Sequence, residues 1–122
     1  MLYAILCYND EAAVQGMSKA EDDAVLAKRR IVQDRLAAEG RLGPVARLMP
    51  STAATTVRAG REALVLDGPF AETKEQLLGF YVVDCATLED AVAAAKALKG
   101  DEKRGAFEIR PLRSFVPGGV IG

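Results

Sequence analysis

The sequence predicts an α+β fold of the split β-α-β kind, and three observations carry that expectation. Short apolar runs rich in β-branched and aromatic residues lie near the start, in the second half and near the end of the chain. Two longer stretches carry helix-capping residues and a helical apolar period. Between the two halves sits the pattern of a hairpin. In chain order the elements read strand, helix, strand, hairpin, strand, helix, strand.

Leu2 to Tyr8 is a short apolar run bounded by Asn9-Asp10, the mark of a buried first strand. Ser18-Lys19-Ala20-Glu21 has capping-box form: the serine hydroxyl accepts from the backbone three residues on, and Glu21 reaches back. The helix it opens should run to about Glu39 and stop at Gly40, which tolerates a left-handed cap. Advancing 100° per residue, Ala20, Ala24, Ala27, Ile31 and Ala38 form one apolar stripe, with Val25, Val32 and Leu36 beside it. The same geometry sets Lys28 and Arg35 between the stripes. Either their stems cover apolar surface while their charges reach water, or they point into a polar pocket between helix and sheet.

Arg41 to Met49 reads as a strand and Pro50-Ser51 as a turn. Thr55-Thr56-Val57-Arg58 and Ala63-Leu64-Val65-Leu66 pair as a hairpin across Ala59-Gly60-Arg61-Glu62. Leu78 to Cys85 is aromatic and β-branched with little charge, a buried strand. Thr87 caps a second helix with Leu88, Ala91, Val92, Ala95 and Leu98 on one face, ended by Gly100. Ala106 to Arg110 alternates as the last strand, and residues 114–122 form a Gly-rich tail. This is a ferredoxin-like arrangement with an inserted hairpin, one domain over residues 1–122. The helices cover one side of such a sheet. Apolar residues on both faces of Leu2–Tyr8 and Leu78–Cys85 leave the other side bare, and a second copy in a two-fold homodimer is the economical cover.

Composition excludes several functions. Lys+Arg number 16 against 17 Asp+Glu, so no basic field drives binding to nucleic acid. No apolar run reaches the roughly 20 residues of a membrane span. The apolar start is followed at once by Asn9-Asp10-Glu11 and lacks a preceding basic segment, so a cytoplasmic protein is expected. Cys7 and Cys85 form no CxxC and read as free, buried thiols. The count of histidine is 0, which excludes Ser-His and Cys-His catalysis and His-ligated metal; no metal or cofactor is expected.

The densest chemistry lies in Asp67-Gly68-Pro69-Phe70-Ala71-Glu72-Thr73-Lys74-Glu75-Gln76. Asp-Gly-Pro is a turn: the carboxylate can fold onto backbone N–H groups, and Pro69 fixes its own φ. Acids, a hydroxyl, an amine and an amide then follow at a strand mouth, where loops tend to carry function. Two readings stand, a solvated turn with internal ion pairs or a ligand site under Asp67.

DGPFAETKEQLLGFYVV resembles the signature of the DGPF proteins of the YCII-related superfamily. ATTVR upstream, the opening LYAILCYNDE and the closing FEIRPL fit the same family, so the resemblance spans nearly the whole chain. It implies a dimeric α/β-barrel in which two sheets close face to face, with a pocket under each helix layer. Some relatives resemble enzymes of aromatic degradation such as a chlorohydroquinone dehydrochlorinase. Others are encoded beside, or fused to, extracytoplasmic-function sigma factors, which makes a sigma factor a candidate partner. Relatives use a His–Asp pair in the pocket. Of that pair this chain offers only Asp67; near the place in the first helix where many DGPF proteins carry a histidine or an aromatic it has Lys28-Arg29-Arg30.

Two functions follow. In the first, a small-molecule binding or regulatory module, the pocket under the DGPF turn takes a small ligand through Arg58, Thr73, Lys74, Glu75, Tyr81, Lys28 and Arg35. In the second, a small enzyme acts on an aromatic or small anionic metabolite with Asp67 as the acid/base group. A lysine would replace histidine as base only if burial lowered its pKa by several units. The missing histidine favours the binding module. Whichever basic group faces the pocket separates a charged ligand site from a vestigial one.

Overall fold

The first strand alternates in burial because it alternates in side-chain direction. In the computed structural model, which describes residues 1–62 and 64–121, strand β1 (Leu2–Asp10) turns Tyr3, Ile5 and Cys7 into the core. A short helix α1 (Glu11–Gln15) follows directly, its first N–H groups accepted by the Asp10 carboxylate. Helix α2 (Lys19–Ala38) begins at the Ser18 capping box, with Ser18 and Glu21 exchanging side-chain and backbone bonds. Gly40 beyond its end has φ +69°, where a Cβ would be strained.

Strands β2 (Leu42–Arg47) and β5 (Glu75–Asp84) pair antiparallel, and β5 in turn pairs with β1. Helix α3 (Leu88–Lys99), capped by Thr87, returns the chain to β6 (Ala106–Pro111) on the far side of β1. The four-stranded sheet has the order β2-β5-β1-β6, the ferredoxin-like arrangement. The sheet of one chain is open, not a closed barrel. Strands β3 (Thr55–Arg58) and β4 (Leu64–Asp67) form a separate two-stranded hairpin. The expected start of that second strand at Ala63 lies outside the described residues, as does the last tail residue, Gly122.

The core is a single layer between helices and sheet. Ile5, Val83, Leu36 and Leu98 are its largest fully buried members. Ala91, Ala94 and Ala95 let α3 lie close to the strands. Both cysteines are free and buried, as expected.

The helix faces correct the sequence reading in two places. Ala20, Ala24, Ala27 and Ala38 are exposed and Ile31 is 71 % exposed, so that stripe is the solvent face of α2. The second stripe, Val25, Val32 and Leu36, is the one that packs. Alanine suits any helix position through propensity alone, so a run of alanines does not mark a buried face. Leu88, assigned to the buried face of α3, is 52 % exposed, and Ala94 takes part in its stead. Helix α1 was not anticipated, because its five residues hold too few turns to show a period.

Two irregularities shape the sheet near its helix-covered side. The register between β1 and β5 slips between Cys7 and Tyr8, so Leu78 has no partner on β1. Its carbonyl instead accepts from Leu48 N–H at 2.8 Å. Gly79 sits opposite Cys7 on one side and Arg47 on the other, and a Cβ there would lie 2.5 Å from the Ala46 carbonyl oxygen. Only glycine permits β2 to approach so closely.

Candidate functional site

Between α2 and the sheet lies a cavity of about 140 Å³. Its floor is Cys7, Tyr81 and Val45, whose side chains the strand alternation directs toward the helices, together with the bare backbone of Gly79. Val25, Leu26, Arg29 and Gln33 descend from α2, and Phe107 of β6 closes one side. Val14 and Met17 close another, so the unanticipated α1 forms part of the wall.

The charges around this cavity are unequally satisfied. Asp22 of α2 holds Arg47 of β2 through two hydrogen bonds, at 2.8 and 3.2 Å. Glu102 accepts from the Arg104 N–H at 3.0 Å and from its guanidinium at 3.3 Å. The Arg104 N–H, followed by the guanidinium, holds the Glu102 carboxyl below the usual carboxylate range. The Lys99 ammonium is engaged by the Glu102 and Arg104 carbonyls. Arg29 has no such match. Its guanidinium lies 5.3 Å from the Phe107 ring centroid, and among the described residues it has no carboxylate partner. Its Nε is buried without a hydrogen-bond partner. Such orphans are rare in folded proteins, because a buried donor stripped of water costs about 1–3 kcal/mol, more when charged.

The neutral groups beside Arg29 stay neutral. Burial pushes the Cys7 thiol up to about 11, against a smaller opposite pull from Arg29. Burial also raises the Tyr81 phenol above its ordinary value, with Arg29 pulling down. At neutral pH the site therefore offers a guanidinium, a phenol and the Gln33 amide as donors, over an apolar floor. Neither a thiolate nor a phenolate is present to act as nucleophile.

The predicted site residues divide among four places. Tyr81 lines the cavity. Lys28 is exposed and pairs with Asp101 at 3.6 Å, and Arg35 is exposed on the same helix. Thr73, Lys74 and Glu75 gather at the mouth of β5. There the Thr73 hydroxyl donates to the Glu75 carbonyl, and Lys74 reaches Asp10 at 3.7 Å. Gln76 ties this loop together, its Nε2 donating to the Ala71 carbonyl at 2.7 Å and the Thr73 carbonyl at 3.1 Å.

Asp67 and Arg58 belong to the hairpin. Asp67 is exposed at the end of β4 opposite Thr55, and among the described residues its carboxylate makes no hydrogen bond or ion pair. The turn is held instead by Gly68 N–H donating to the Ala54 carbonyl and by the Thr56 hydroxyl donating to the Gly68 carbonyl, each at 2.8 Å. Gly68 has φ +96°, which explains the glycine of Asp-Gly-Pro. The Arg58 guanidinium lies 5.1 Å from the Phe70 ring centroid. Asp67 does not meet Lys28, Arg35 or Tyr81 in one pocket.

Arg29 is the residue that sequence reasoning passed over. Val25, Arg29, Val32 and Leu36 recur at steps of four, three and four, which is one helix face. An arginine in the middle of that series was the available signal.

An antiparallel ferredoxin-like sheet, covered on one side by helices with a cavity beneath them, defines the class of fold. The chain belongs to the YCII-related family: the family model described as the YCII-related domain matches residues 1–116. The chain is also 52 % identical over 120 residues to an uncharacterised protein of Rhizobium meliloti (strain 1021), covering 97 % of each. Among the described residues, no helix is long and apolar enough to cross a membrane.

Proposed function

We propose that this protein is a small-molecule binding module whose ligand occupies the cavity between α2 and the sheet. One observation carries the reading: the Arg29 Nε is buried beside the cavity with no partner. A buried orphan of this kind calls for a partner from outside the chain, an ordered water or a bound ligand, and the cavity beside it has room for either. The bland alternative, a stem lying over apolar surface, accounts for the Phe107 contact but not for the unmatched Nε. Binding is favoured over catalysis because burial keeps Cys7 and Tyr81 protonated. In its regulatory form the occupied pocket is read by a protein partner, a sigma factor being the one the family resemblance implies.

A ligand under the Asp67 turn is the competing location, and one variant separates the two. Ligands identified by a metabolite screen should perturb the NMR signals of Tyr81 and Phe107. Asp67→Asn should then bind them within about twofold of the parent, because it removes no charge from the cavity. A loss of tenfold or more, the size of a charge-assisted hydrogen bond, would return the site to the turn.

The reading includes a two-fold dimer. Strand alternation turns Ala4, Leu6 and Phe80 away from the helix-covered core, onto a sheet face that no helix of the described residues occupies. The hairpin adds Val57, Leu64, Val65, Leu66 and Phe70, all exposed in the single chain. An isolated two-stranded hairpin is marginal in water, so a covering surface suits it. Light scattering at tens of micromolar should give twice the chain mass. A monomeric mass at that concentration rules out the dimer.

A further inference from the structure

We infer that the cavity takes a small organic carboxylate with an apolar body about the size of one six-membered ring, its carboxylate held by Arg29. This rests on the reading of the cavity as a small-molecule site and adds the chemical class of ligand.

Charge selects an anion. The acidic groups that line the cavity, Asp22 and Glu102, are already matched by Arg47 and Arg104. Lys99 is committed to loop carbonyls. Among the described residues Arg29 is left as the lining cation with neither a carboxylate nor a carbonyl partner, and the Tyr81 hydroxyl and Gln33 amide that line the cavity with it carry donors that suit an oxyanion. A cationic ligand would face an unmatched like charge at that point.

Geometry narrows the anion to a carboxylate. A guanidinium presents parallel N–H donors whose spacing matches the two oxygens of a planar carboxylate. A phosphate dianion would call for a second unmatched cation or a ring of backbone N–H groups. The other lining cations are engaged, and Cys7, Gly79 and Tyr81 are strand residues whose backbone pairs within the sheet.

Size and polarity supply the rest of the ligand. About 140 Å³ is close to the roughly 150 Å³ of a cavity that holds benzene. Val25, Val45 and Phe107 offer an apolar body no polar group to bond.

The test titrates the full-length protein with benzoate, cyclohexanecarboxylate and their neutral counterparts benzyl alcohol and cyclohexylmethanol, followed by NMR. The carboxylates should bind at least about tenfold more tightly than the alcohols. Arg29→Met should abolish that preference while leaving alcohol binding in place. Arg30→Met, which removes the neighbouring exposed charge, should keep it. Arg29→Gln serves if the methionine variant does not fold. Equal binding of acids and alcohols, or a preference that survives loss of Arg29, overturns the carboxylate while the small-molecule cavity stands. If none of the four probes moves the Tyr81, Phe107 or Val25 signals, both readings fall together.

Discussion

Ile5→Ala is expected to cost about 3–4 kcal/mol of folding stability, whereas Ile31→Ala should change it by less than about 0.5 kcal/mol. The two substitutions delete the same atoms. Ile5 is 0 % exposed in the central strand, opposite Tyr81 on one neighbour and Ile109 on the other. Removing its side chain forfeits the transfer of the lost methylenes and leaves a void that rigid strands on both sides cannot close. Ile31 is 71 % exposed on the solvent face of α2, so its truncation loses little burial and gains slightly in helix propensity. Urea unfolding of both variants measures the contrast. A cost above about 2 kcal/mol at Ile31 would mean that the alanine-rich stripe is the packing face after all.

The phase of α2 explains how much was legible in the sequence. Strands and caps declare themselves locally. The Ser18 and Thr87 caps bond as their spacing implies, and the strand runs at Leu2, Leu78 and Ala106 pair in the expected order. Which face of a helix meets the sheet is a tertiary fact, and two adjacent stripes left it undecided. Keeping both stripes drew attention to Lys28 and Arg35, which lie between them and are exposed, and away from Arg29. The turn at Asp67 is legible in part as backbone geometry. Gly68 at φ +96° and its bond to the Ala54 carbonyl account for the glycine, whereas the exposed Asp67 carboxylate has no partner among the described residues and backbone geometry does not account for it. The cavity had no compact motif to announce it. Its residues come from three helices, four strands and the loops after α1 and α3, and its floor depends on a missing side chain at Gly79.

Alkaline pH should destabilise the protein through Cys7 in particular. Burial disfavours the thiolate and raises the folded-state pKa from the ordinary value of about 9 to about 11. The unfolded chain ionises first as pH rises, so it sheds a proton the native state retains, and the equilibrium moves toward unfolding. The contribution is fully present below about pH 9 and is lost as pH climbs toward about 11. At pH 10 the loss is about 1 kcal/mol, approaching about 3 kcal/mol once both states are ionised. Tyr81 is raised in the same sense by its own burial, but its ordinary value of 10.0 places its effect higher. Measurements between pH 8 and 10 therefore weight Cys7. Urea stability should fall more steeply over that interval in the parent than in Cys7→Ala, whose lost packing lowers stability by the same amount at every pH. The same protonation makes the Cys7 thiol slow toward a bulky thiol reagent at neutral pH, since the thiolate is the reactive form and the site is 8 % exposed. Parallel pH dependences in parent and Cys7→Ala, together with rapid labelling of Cys7 in the folded protein, would mean that the thiol meets water. The floor of the cavity would then be wet and polar, and an apolar-bodied ligand would have no reason to settle there.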